Sequence, residues 1–269
     1  MKKLIFIITV IIIIPVYFLW GNLSIKATEI SVKNSSLPSS FDGFKIVHIS
    51  DLHNDEFGDD NQRLLSLIRS THPDIIAVTG DLIDSSRTDV DVAEEFIENA
   101  LKIAPVYYST GNHESRLKNF SSIENEFIEE GATVLRNDSV YIEKGTDRIL
   151  IAGIDDPDFK TADTVSAIKS IKEEDVFTIL LSHRPELFDI YCKEGIDLTL
   201  SGHAHGGQFR LPFIGGLYAP NQGILPQYTS GLYTNDSSEM IVSRGLGRSL
   251  FPLRFNNRPE IIVITLETE

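Results

Sequence analysis

Five clusters of polar side chains recur along the sequence, and each follows an apolar run that is typical of a β-strand. The clusters share imidazole, carboxylate and amide groups, which are common ligands of transition metals. In the last cluster, two histidines one residue apart would lie on the same face of an extended segment, so they could bind two neighbouring metals. The clusters are Asp51-Leu52-His53, Gly80-Asp81-Leu82-Ile83-Asp84, Gly111-Asn112-His113-Glu114, His183 and Gly202-His203-Ala204-His205.

Each cluster alone also fits an ordinary structural role, because Asp and Asn favour turns and a lone histidine is usually packed or solvated. Their common placement argues for a shared site. The carboxyl ends of strands form the functional edge of sheets with α/β connections, so clusters at five strand ends are expected to meet there. His48, inside a predicted strand, and His72, in a loop before Pro73, are assigned structural roles.

Short apolar runs alternate with amphipathic helical patterns from about residue 25 to the end. The predicted strands "KIVHIS" and "DIIAVTG" enclose the predicted helix "NQRLLSLIRS", which is the pattern of a βαβ unit. A hairpin is predicted to turn at Gly145, and a helix is predicted from Pro185 to near Gly195. The sequence therefore predicts an α/β protein with mixed sheets and outer helices, in one domain over residues 23–269.

Lys2 and Lys3 precede an apolar run from Leu4 to Trp20. With about 17 residues, the run is at the short limit of a membrane-spanning helix and is longer than the core of a typical cleaved signal. No small-x-small pair follows it, and it has no polar face. An uncleaved anchor over residues 1–22 is therefore favoured over a cleaved signal or a buried core helix. By the positive-inside rule, we expect the remaining chain outside the cytoplasm.

Composition argues against several classes of function. The net charge of −15 opposes a general affinity for nucleic acid, whose binding needs basic residues to neutralise phosphates. Cys192 is the single cysteine, so neither an internal disulfide nor a thiolate zinc site is expected. The sequence also lacks the H-x-H-x-D-H run that a zinc hydrolase of the metallo-β-lactamase type would need.

The ordered motifs D-x-H, G-D-x-x-D, G-N-H-E, H and G-H-x-H resemble the signature of the calcineurin-like metallophosphoesterases. The C-terminal stretches "GHAHGGQFRLP", "VSRGLG" and "RPEIIVITL" resemble the YkuE/YaeI-type branch of bacterial membrane-associated or exported phosphoesterases. The resemblance covers about residues 25–269. It implies a four-layer α/β/β/α sandwich of two mixed sheets, with a metal site at the edge where strands meet loops.

The resemblance also implies two divalent metal ions that share Asp81 as a bridging ligand. The ligands of the first ion would be Asp51, His53, Asp81 and His205, and those of the second would be Asp81, Asn112, His183 and His203. Gly202, Gly206 and Gly207 would let the backbone approach the ions closely. Manganese is favoured, and iron or zinc also suits a ligand set without thiolate. The ions would clamp the phosphate and convert a bridging water to hydroxide.

By the same resemblance, His113 is a general acid near the leaving oxygen rather than a metal ligand. Asp84 could orient its imidazole, or it could cap the start of the next helix. The segment Gly206–Tyr233 is expected to shape the substrate pocket, with a simple surface loop as the alternative. Candidate anion contacts, which could equally be surface charges, are Arg210, Arg244 and Arg248.

These features predict a two-metal phosphatase or phosphodiesterase that is anchored in the cell membrane with its catalytic domain outside the cytoplasm. The expected substrates are cell-envelope, lipid or nucleotide phosphoesters, including lipid- or wall-linked ones. No nucleic acid partner is expected. The alternative is a catalytically inactive binding module of the same fold, although every ligand position holds a competent side chain. The sequence leaves ester type, metal identity and oligomeric state open.

Overall fold

The computed structural model describes residues 2–160, 163–248, 251 and 253–269, and in the first helix it describes the side chains of residue 11 and of residues 13 onward. The helices are α1 (Lys2–Leu23), α2 (Gln62–Ser70), α3 (Val90–Leu101), α4 (Phe120–Glu130), α5 (Thr164–Ile171) and α6 (Phe188–Lys193). The strands are β1 (Lys26–Lys33), β2 (Lys45–Ile49), β3 (Ile75–Thr79), β4 (Val106–Ser109), β5 (Thr133–Val134), β6 (Asp138–Lys144), β7 (Asp147–Gly153), β8 (Thr178–Leu181), β9 (Leu198–Ser201), β10 (Arg210–Leu211), β11 (Gly215–Gly216), β12 (Tyr218–Ala219), β13 (Gly223–Ile224), β14 (Gly231–Asn235), β15 (Ser238–Val242) and β16 (Glu260–Glu267).

Two mixed six-stranded sheets form the centre of the fold. The strand order of the first sheet is β1-β16-β2-β3-β4-β5, in which β2 to β5 are parallel and β16 is antiparallel to β2. The order of the second is β14-β15-β9-β8-β7-β6, with a parallel centre from β15 to β7 and antiparallel edge strands. Parallel neighbours cannot be joined by tight turns, so helices lie in the connections between them.

Alternation of side chains along the strands creates the layers. In β2, Ile46 packs with Ile151 of the opposite sheet, whereas the next residue, Val47, packs with Phe96 of the outer helix α3. A third apolar cluster, which includes Ile168, holds α5 and α6 against the outer face of the second sheet. The resulting order of helices, sheet, sheet and helices confirms the predicted α/β/β/α sandwich.

Most predicted elements are present. The βαβ unit is β2-α2-β3, and the hairpin of β6 and β7 turns at Gly145, whose φ is +66°. The predicted helix consists of a 3-10 turn at Pro185–Leu187 followed by α6, which ends before Gly195. Helices α4 and α5 were not predicted. Within α4, Phe120, Ile123 and Phe127 are buried at helical spacing, so this pattern was available in the sequence.

Helix α1 is seated on the domain at its C-terminal end. The rings of Tyr17 and Phe18 lie 6.2 and 6.0 Å from the ring of Phe255. The Asn22 side chain accepts a 2.7 Å bond from the Arg254 N–H and donates a 3.1 Å bond to the Arg254 carbonyl. The predicted Leu4–Trp20 anchor falls in part on residues whose side chains lie outside the described set. Among the described residues, no helix has the length and apolar character needed to cross a membrane.

Candidate metal centre

The predicted metal ligands meet at one edge of the sandwich, where both sheets present the carboxyl ends of their strands. They lie on five loops, which follow β2, β3, β4, β8 and β9. Each of them is at least 96 % buried, although all are polar. Their side chains are those of Asp51, His53, Asp81, Asn112, His183, His203 and His205.

The described residues form three groups of candidate donor atoms, and two of these groups consist of predicted ligands. In the first, which consists of Asp51, His53 and His205, the donors are within 4.8 Å of one another, and His205 Nε2 is 3.2 Å from Asp51 Oδ1. The second consists of Asp81, His183 and His203 and is equally compact, with His183 Nε2 3.1 Å from Asp81 Oδ2.

The two groups share a boundary at Asp81. Its Oδ1 accepts a 2.8 Å bond from the His113 N–H, which leaves Oδ2 facing both groups. Asp81 Oδ2 is 3.1 Å from His183 Nε2 and 3.7 Å from His53 Nε2. One carboxylate therefore lies within reach of donors from both groups.

The spacing of the donors fits metal ions. Ligands about 2.1 Å from a tetrahedral ion are about 3.4 Å from each other. The Nε2 atoms of His53 and His205 lie 3.3 Å apart, close to this ligand-to-ligand distance. If both rings are neutral, at most one of these two nitrogens carries a proton, so at least one presents a lone pair. Four ligand side chains also carry a buried polar atom without a hydrogen-bond partner in the described chain, namely His53 Nδ1, Asn112 Oδ1, His183 Nε2 and His205 Nδ1.

His183 gives the strongest indication of a cation. Its Nδ1 is 2.6 Å from the Thr79 carbonyl and must donate a proton to it, so a neutral His183 would direct the Nε2 lone pair toward Asp81. A carboxylate and a lone pair repel each other unless a proton or a metal ion lies between them. The residues therefore fit a metal ion between His183 Nε2 and Asp81. Metal-binding histidines usually donate a hydrogen bond from the other ring nitrogen to a carbonyl or carboxylate, as His183 Nδ1 does to Thr79.

Burial and charge shift the pKa values of these groups in opposite directions. Burial raises the pKa of Asp51 to about 6, although His183 acts in the other direction, and burial lowers the pKa of His53 to about 4. Burial also opposes protonation of His183, but the Asp81 and Asp51 carboxylates outweigh this effect and raise its pKa to about 10. Without metal, a proton on His183 thus supplies positive charge that the carboxylates need.

The backbone is strained at the site. Asp51, His53, Asp81, His203 and His205 all have a positive φ, between 46° and 64°. A residue other than glycine costs about 1–3 kcal/mol in such a conformation, and this kind of strain is concentrated at functional sites. The turns direct five side chains inward at the cost of local stability.

Close backbone approach explains one of the three predicted glycines. A Cβ at Gly202 would lie 2.5 Å from Asp51 Oδ2, so any side chain there would displace a candidate ligand. Gly206 and Gly207 approach other parts of the loop: a Cβ on Gly206 would overlap Asn257, and one on Gly207 would overlap Gly216. These two glycines support the loop and do not approach the donor atoms.

Glu114 ties two of the loops together, a role that the sequence did not reveal. Its Oε2 accepts 2.8 Å bonds from the backbone N–H groups of Asp81 and Gly111, and its Oε1 accepts a 3.3 Å bond from Ile83. Burial, followed by the charge of Asp81, raises the pKa of Glu114 to about 7. The residue belongs to the G-N-H-E motif, so its position was visible but its bonding was not.

His113 belongs to the third group of donor atoms, together with His53 and Asp84, and to neither of the two groups above. Its ring packs edge-on against His53 at 4.5 Å, and its Nδ1 accepts a 3.0 Å bond from the Ser85 N–H. The ring proton of a neutral His113 is therefore on Nε2. Asp84 Oδ1 is 3.7 Å from His113 Nδ1, which is too long for a hydrogen bond.

Asp84 instead closes a turn. Its Oδ1 accepts bonds from the N–H groups of Ser86 and Arg87 at 2.8 and 3.2 Å, and its Oδ2 accepts a 2.8 Å bond from the Arg87 guanidinium. Helix α3 begins only at Val90, so Asp84 does not cap it. Asp84 therefore does not accept a hydrogen bond from the imidazole, and the Ser85 N–H, which the Asp84 turn positions, donates to the ring instead.

A cavity of about 540 Å³ opens above the donors. His113 and His203 line it together with Tyr218 and Asn221 from the predicted pocket segment Gly206–Tyr233. Arginine side chains from three other loops also line it, and these are Arg87, Arg116 and Arg184.

Arg184, directly after His183, was not predicted. It is buried, it pairs with Asp156, and its Nη1 lies 3.1 Å from His203 Nε2 and 2.7 Å from Asn221 Oδ1. A cation that reaches both the candidate ligands and the cavity is suited to an anionic substrate.

The arginines that the sequence suggested as anion contacts lie elsewhere, and none of them lines this cavity. Arg210 donates to the Gly206 carbonyl, Arg244 lies 3.6 Å from Glu260, and Arg248 pairs with Asp55.

The remaining two histidines have structural roles, as predicted. His48 is fully buried in β2, where its Nε2 lies 2.8 Å from Thr79 Oγ1, and burial lowers its pKa to about 3. His72 is exposed in the loop before β3. Neither belongs to a group of donors that could hold a metal among the described residues.

Replacing Glu114 with Gln tests the tie between the loops. The amide has one acceptor oxygen in place of two, and its NH₂ group would face a backbone N–H, so we expect metal affinity to fall about 10–100-fold. Equilibrium dialysis against a series of free metal concentrations measures the change. Glu129→Gln, on the exposed face of α4, is the matched control. Equal affinities in the two variants would contradict the assigned role.

Comparison with known proteins agrees with this geometry. The sequence model of the calcineurin-like phosphoesterase family matches residues 44–207. The chain is 34% identical over 251 residues to the uncharacterized metallophosphoesterase YkuE of Bacillus subtilis, with 91% of this chain and 86% of that protein covered. It is 30% identical over 237 residues to the phosphodiesterase YaeI of Escherichia coli, with 83% and 82% covered.

A solved structure has a similar fold. The phosphopantetheinyl hydrolase of Mycobacterium tuberculosis superimposes with a TM-score of 0.51 at 12% identity, over 80% of this chain and 96% of that one. The family match includes every cluster from Asp51 to His205, and both relatives align over most of their length. The chain therefore belongs to the calcineurin-like phosphoesterase family of metal-dependent phosphoester hydrolases.

Proposed function

We propose that this chain hydrolyses phosphoesters outside the cytoplasm, at a centre that holds two divalent metal ions. The observation that carries the proposal is the pair of buried donor groups beneath the cavity, with Asp81 of the second group 3.7 Å from His53 of the first. When bound, the ions supply positive charge for the phosphate oxygens and lower the pKa of a bound water. Nitrogen and oxygen donors without thiolate suit manganese, which we favour, and also iron or zinc.

The residues fall into two ligand sets with Asp81 common to both. Asp81 is placed between the sets because its Oδ2 faces both His53 and His183. Asn112 completes the second set, since its Oδ1 is buried without a partner. The first set is Asp51, His53, Asp81 and His205, and the second is Asp81, Asn112, His183 and His203.

The surrounding residues bind the substrate and move one proton. Arg184 and Arg87 line the cavity and donate hydrogen bonds to phosphate oxygens. His113 acts as the general acid through Nε2, and the imidazolium that gives up this proton keeps its other ring proton on Nδ1, 3.2 Å from the Ser85 hydroxyl oxygen. Asp84, 3.7 Å from that ring, holds the turn that contains Ser85 in place.

We infer that the substrates are phosphoesters of the cell envelope, including lipid-linked or wall-linked esters and nucleotides. The name of the Escherichia coli relative, a phosphodiesterase, supports a diester. The apolar run from Leu4 to Trp20 after Lys2 and Lys3 supports an uncleaved anchor with the catalytic domain outside.

Protease added to intact cells, or to spheroplasts if an outer membrane is present, should digest the domain while the membrane stays closed. N-terminal sequencing should find residues before Leu23. A processed, soluble protein as the main species would overturn the anchor, and protection from protease would overturn the orientation.

Metal dependence tests the centre directly. The full chain should lose hydrolysis of bis-p-nitrophenyl phosphate after chelation and regain it with manganese. Asp81→Ala should lose both ions because both sets include Asp81, whereas Asn112→Ala should weaken mainly one. Mass spectrometry of the metal-to-protein ratio decides this, with Asp138→Ala on an exposed strand end as the control. Two tightly held ions in Asp81→Ala would exclude bridging, and full metal loading without turnover would favour the inactive binding module.

His113→Asn tests the proton donor. It should keep both metal ions and lower kcat by about 10²–10⁴-fold for esters with poor leaving groups. The loss should be smaller for p-nitrophenyl esters, whose leaving oxygen hardly needs a proton. His72→Asn, at an exposed loop, should leave kcat unchanged. Equal losses on both classes of ester would argue against acid catalysis, and loss of metal would make His113 a ligand.

A further inference from the structure

Exposed apolar side chains are concentrated on one side of the described domain. Phe213 and Ile214 occupy the turn between β10 and β11, and Phe213 is fully exposed. Ile224, which is 81 % exposed, and Leu225 end the next small hairpin. Outside α1, every exposed large apolar side chain that the structure describes lies between residues 213 and 253, with the exception of Ile128.

Backbone hydrogen bonds join these loops into one surface. The Leu225 N–H donates to the Leu217 carbonyl at 3.0 Å, and the Leu217 N–H donates to the Phe209 carbonyl at 2.9 Å. The Arg210 N–H then donates to the Phe255 carbonyl at 3.0 Å. Phe255 in turn contacts Tyr17 and Phe18 of α1. We call residues 209–225, 251 and 253–255, together with α1 from residue 13 to residue 23, the apolar face.

The apolar face borders the catalytic cavity. Tyr218, Pro220, Asn221 and Phe251 belong to the face and also line the cavity above the donor groups. On its other side, the face includes exposed side chains of α1, such as Val16, Leu19 and Trp20. One continuous apolar surface therefore extends from the N-terminal helix to the mouth of the site.

The charge of this surface identifies its partner. The chain contains 39 Asp and Glu residues, yet none of them lies in residues 1–28, 198–235 or 240–259, which include the whole apolar face. The same segments contain the basic residues Lys2, Lys3, Lys26 and Arg258. Their other arginines are engaged within the fold: Arg248 pairs with Asp55 at the border of the face, Arg244 lies beside Glu260, and Arg254 is buried. A face without carboxylates and with basic residues near α1 is compatible with anionic phospholipid, which would repel carboxylates.

Trp20 and Arg258 are arranged in a way that fits a membrane–water boundary. The Arg258 guanidinium lies 4.6 Å from the centre of the Trp20 ring. Trp is enriched at this boundary because its ring is amphipathic, and Arg can extend its charge toward headgroups. The pair stands where α1 meets the rest of the apolar face.

We propose that the apolar face inserts into the surface of an anionic bilayer, so that the catalytic cavity opens at the level of the lipid headgroups. The cavity would then take phosphoesters whose lipid part stays in the membrane. This substrate class rests on the proposed hydrolase function, whereas the membrane contact does not. A second copy of this chain and a protein partner are the competing occupants of the face.

Fluorescent labels can locate the face in the full chain reconstituted into nanodiscs of phosphatidylcholine with or without phosphatidylglycerol. An environment-sensitive dye is attached through Phe213→Cys, Ile224→Cys or, as a matched control, Ile128→Cys, each combined with Cys192→Ser. Labels at positions 213 and 224 should emit at shorter wavelength and be quenched by nitroxide lipids, more strongly with phosphatidylglycerol. The label at position 128 should stay in water.

Two results would overturn the membrane contact. One is an aqueous signal at positions 213 and 224, and the other is a protected signal that nitroxide lipids do not quench, which would mean that protein covers the face.

An activity measurement then tests the substrate class. The double variant Phe213→Ser/Ile224→Ser should hydrolyse a phosphodiester lipid in bilayers roughly tenfold more slowly or worse, because two apolar anchors leave the membrane. Its rate on water-soluble bis-p-nitrophenyl phosphate should be unchanged. Equal rates of variant and parent on the lipid would overturn the lipid substrate. If the parent hydrolyses neither ester, the proposed function fails, and the labels alone decide the membrane contact.

Discussion

Two buried carboxylates dominate this molecule. Asp51 and Asp81 lie at the junction of the two sheets, and in the described chain neither forms an ion pair with a lysine or arginine. Four imidazoles surround them, and without metal a proton on His183 supplies one positive charge for the two carboxylates. The sandwich is therefore built around a demand for positive charge that its side chains meet only in part. Divalent metal ions, on which this family depends, would supply that positive charge.

The strands and loops share the task of bringing these groups together. The strands give direction, because parallel neighbours in both sheets end at the same edge. The loops give precision through left-handed turns and through Glu114, whose carboxylate holds two loops at once. Packing of the large apolar layers supplies the stability that such strained turns consume. The packed strands therefore make it possible for the loops at their ends to keep strained conformations that aim the donor side chains.

The sequence pattern was sufficient to predict mixed sheets with outer helices and the residues at their edge, because strand patterns and ligand motifs are local, while the four-layer sandwich followed from the resemblance to a known family. It was insufficient for contacts that depend on distant segments meeting. Nothing near Arg184 indicates Asp156 or Asn221 as its partners, and the arginines chosen from the C-terminal segment pair with other groups. The role of Asp84 was uncertain for the same reason, since only the folded turn shows that the Ser85 N–H reaches the imidazole first.

The bonds between Asn22 and Arg254 fix the orientation of helix α1 on the domain. A flexible linker would let the helix and the domain move independently, whereas a helix held through both a side chain and the backbone keeps one angle to the domain. Three residues after Arg254, the Asn257 side chain donates a 2.8 Å bond to the His205 carbonyl. Helix α1 and the loop of His205 are therefore both held by one short stretch of chain, residues 254–257, so a change in the angle of α1 would reach the histidine loop through this stretch.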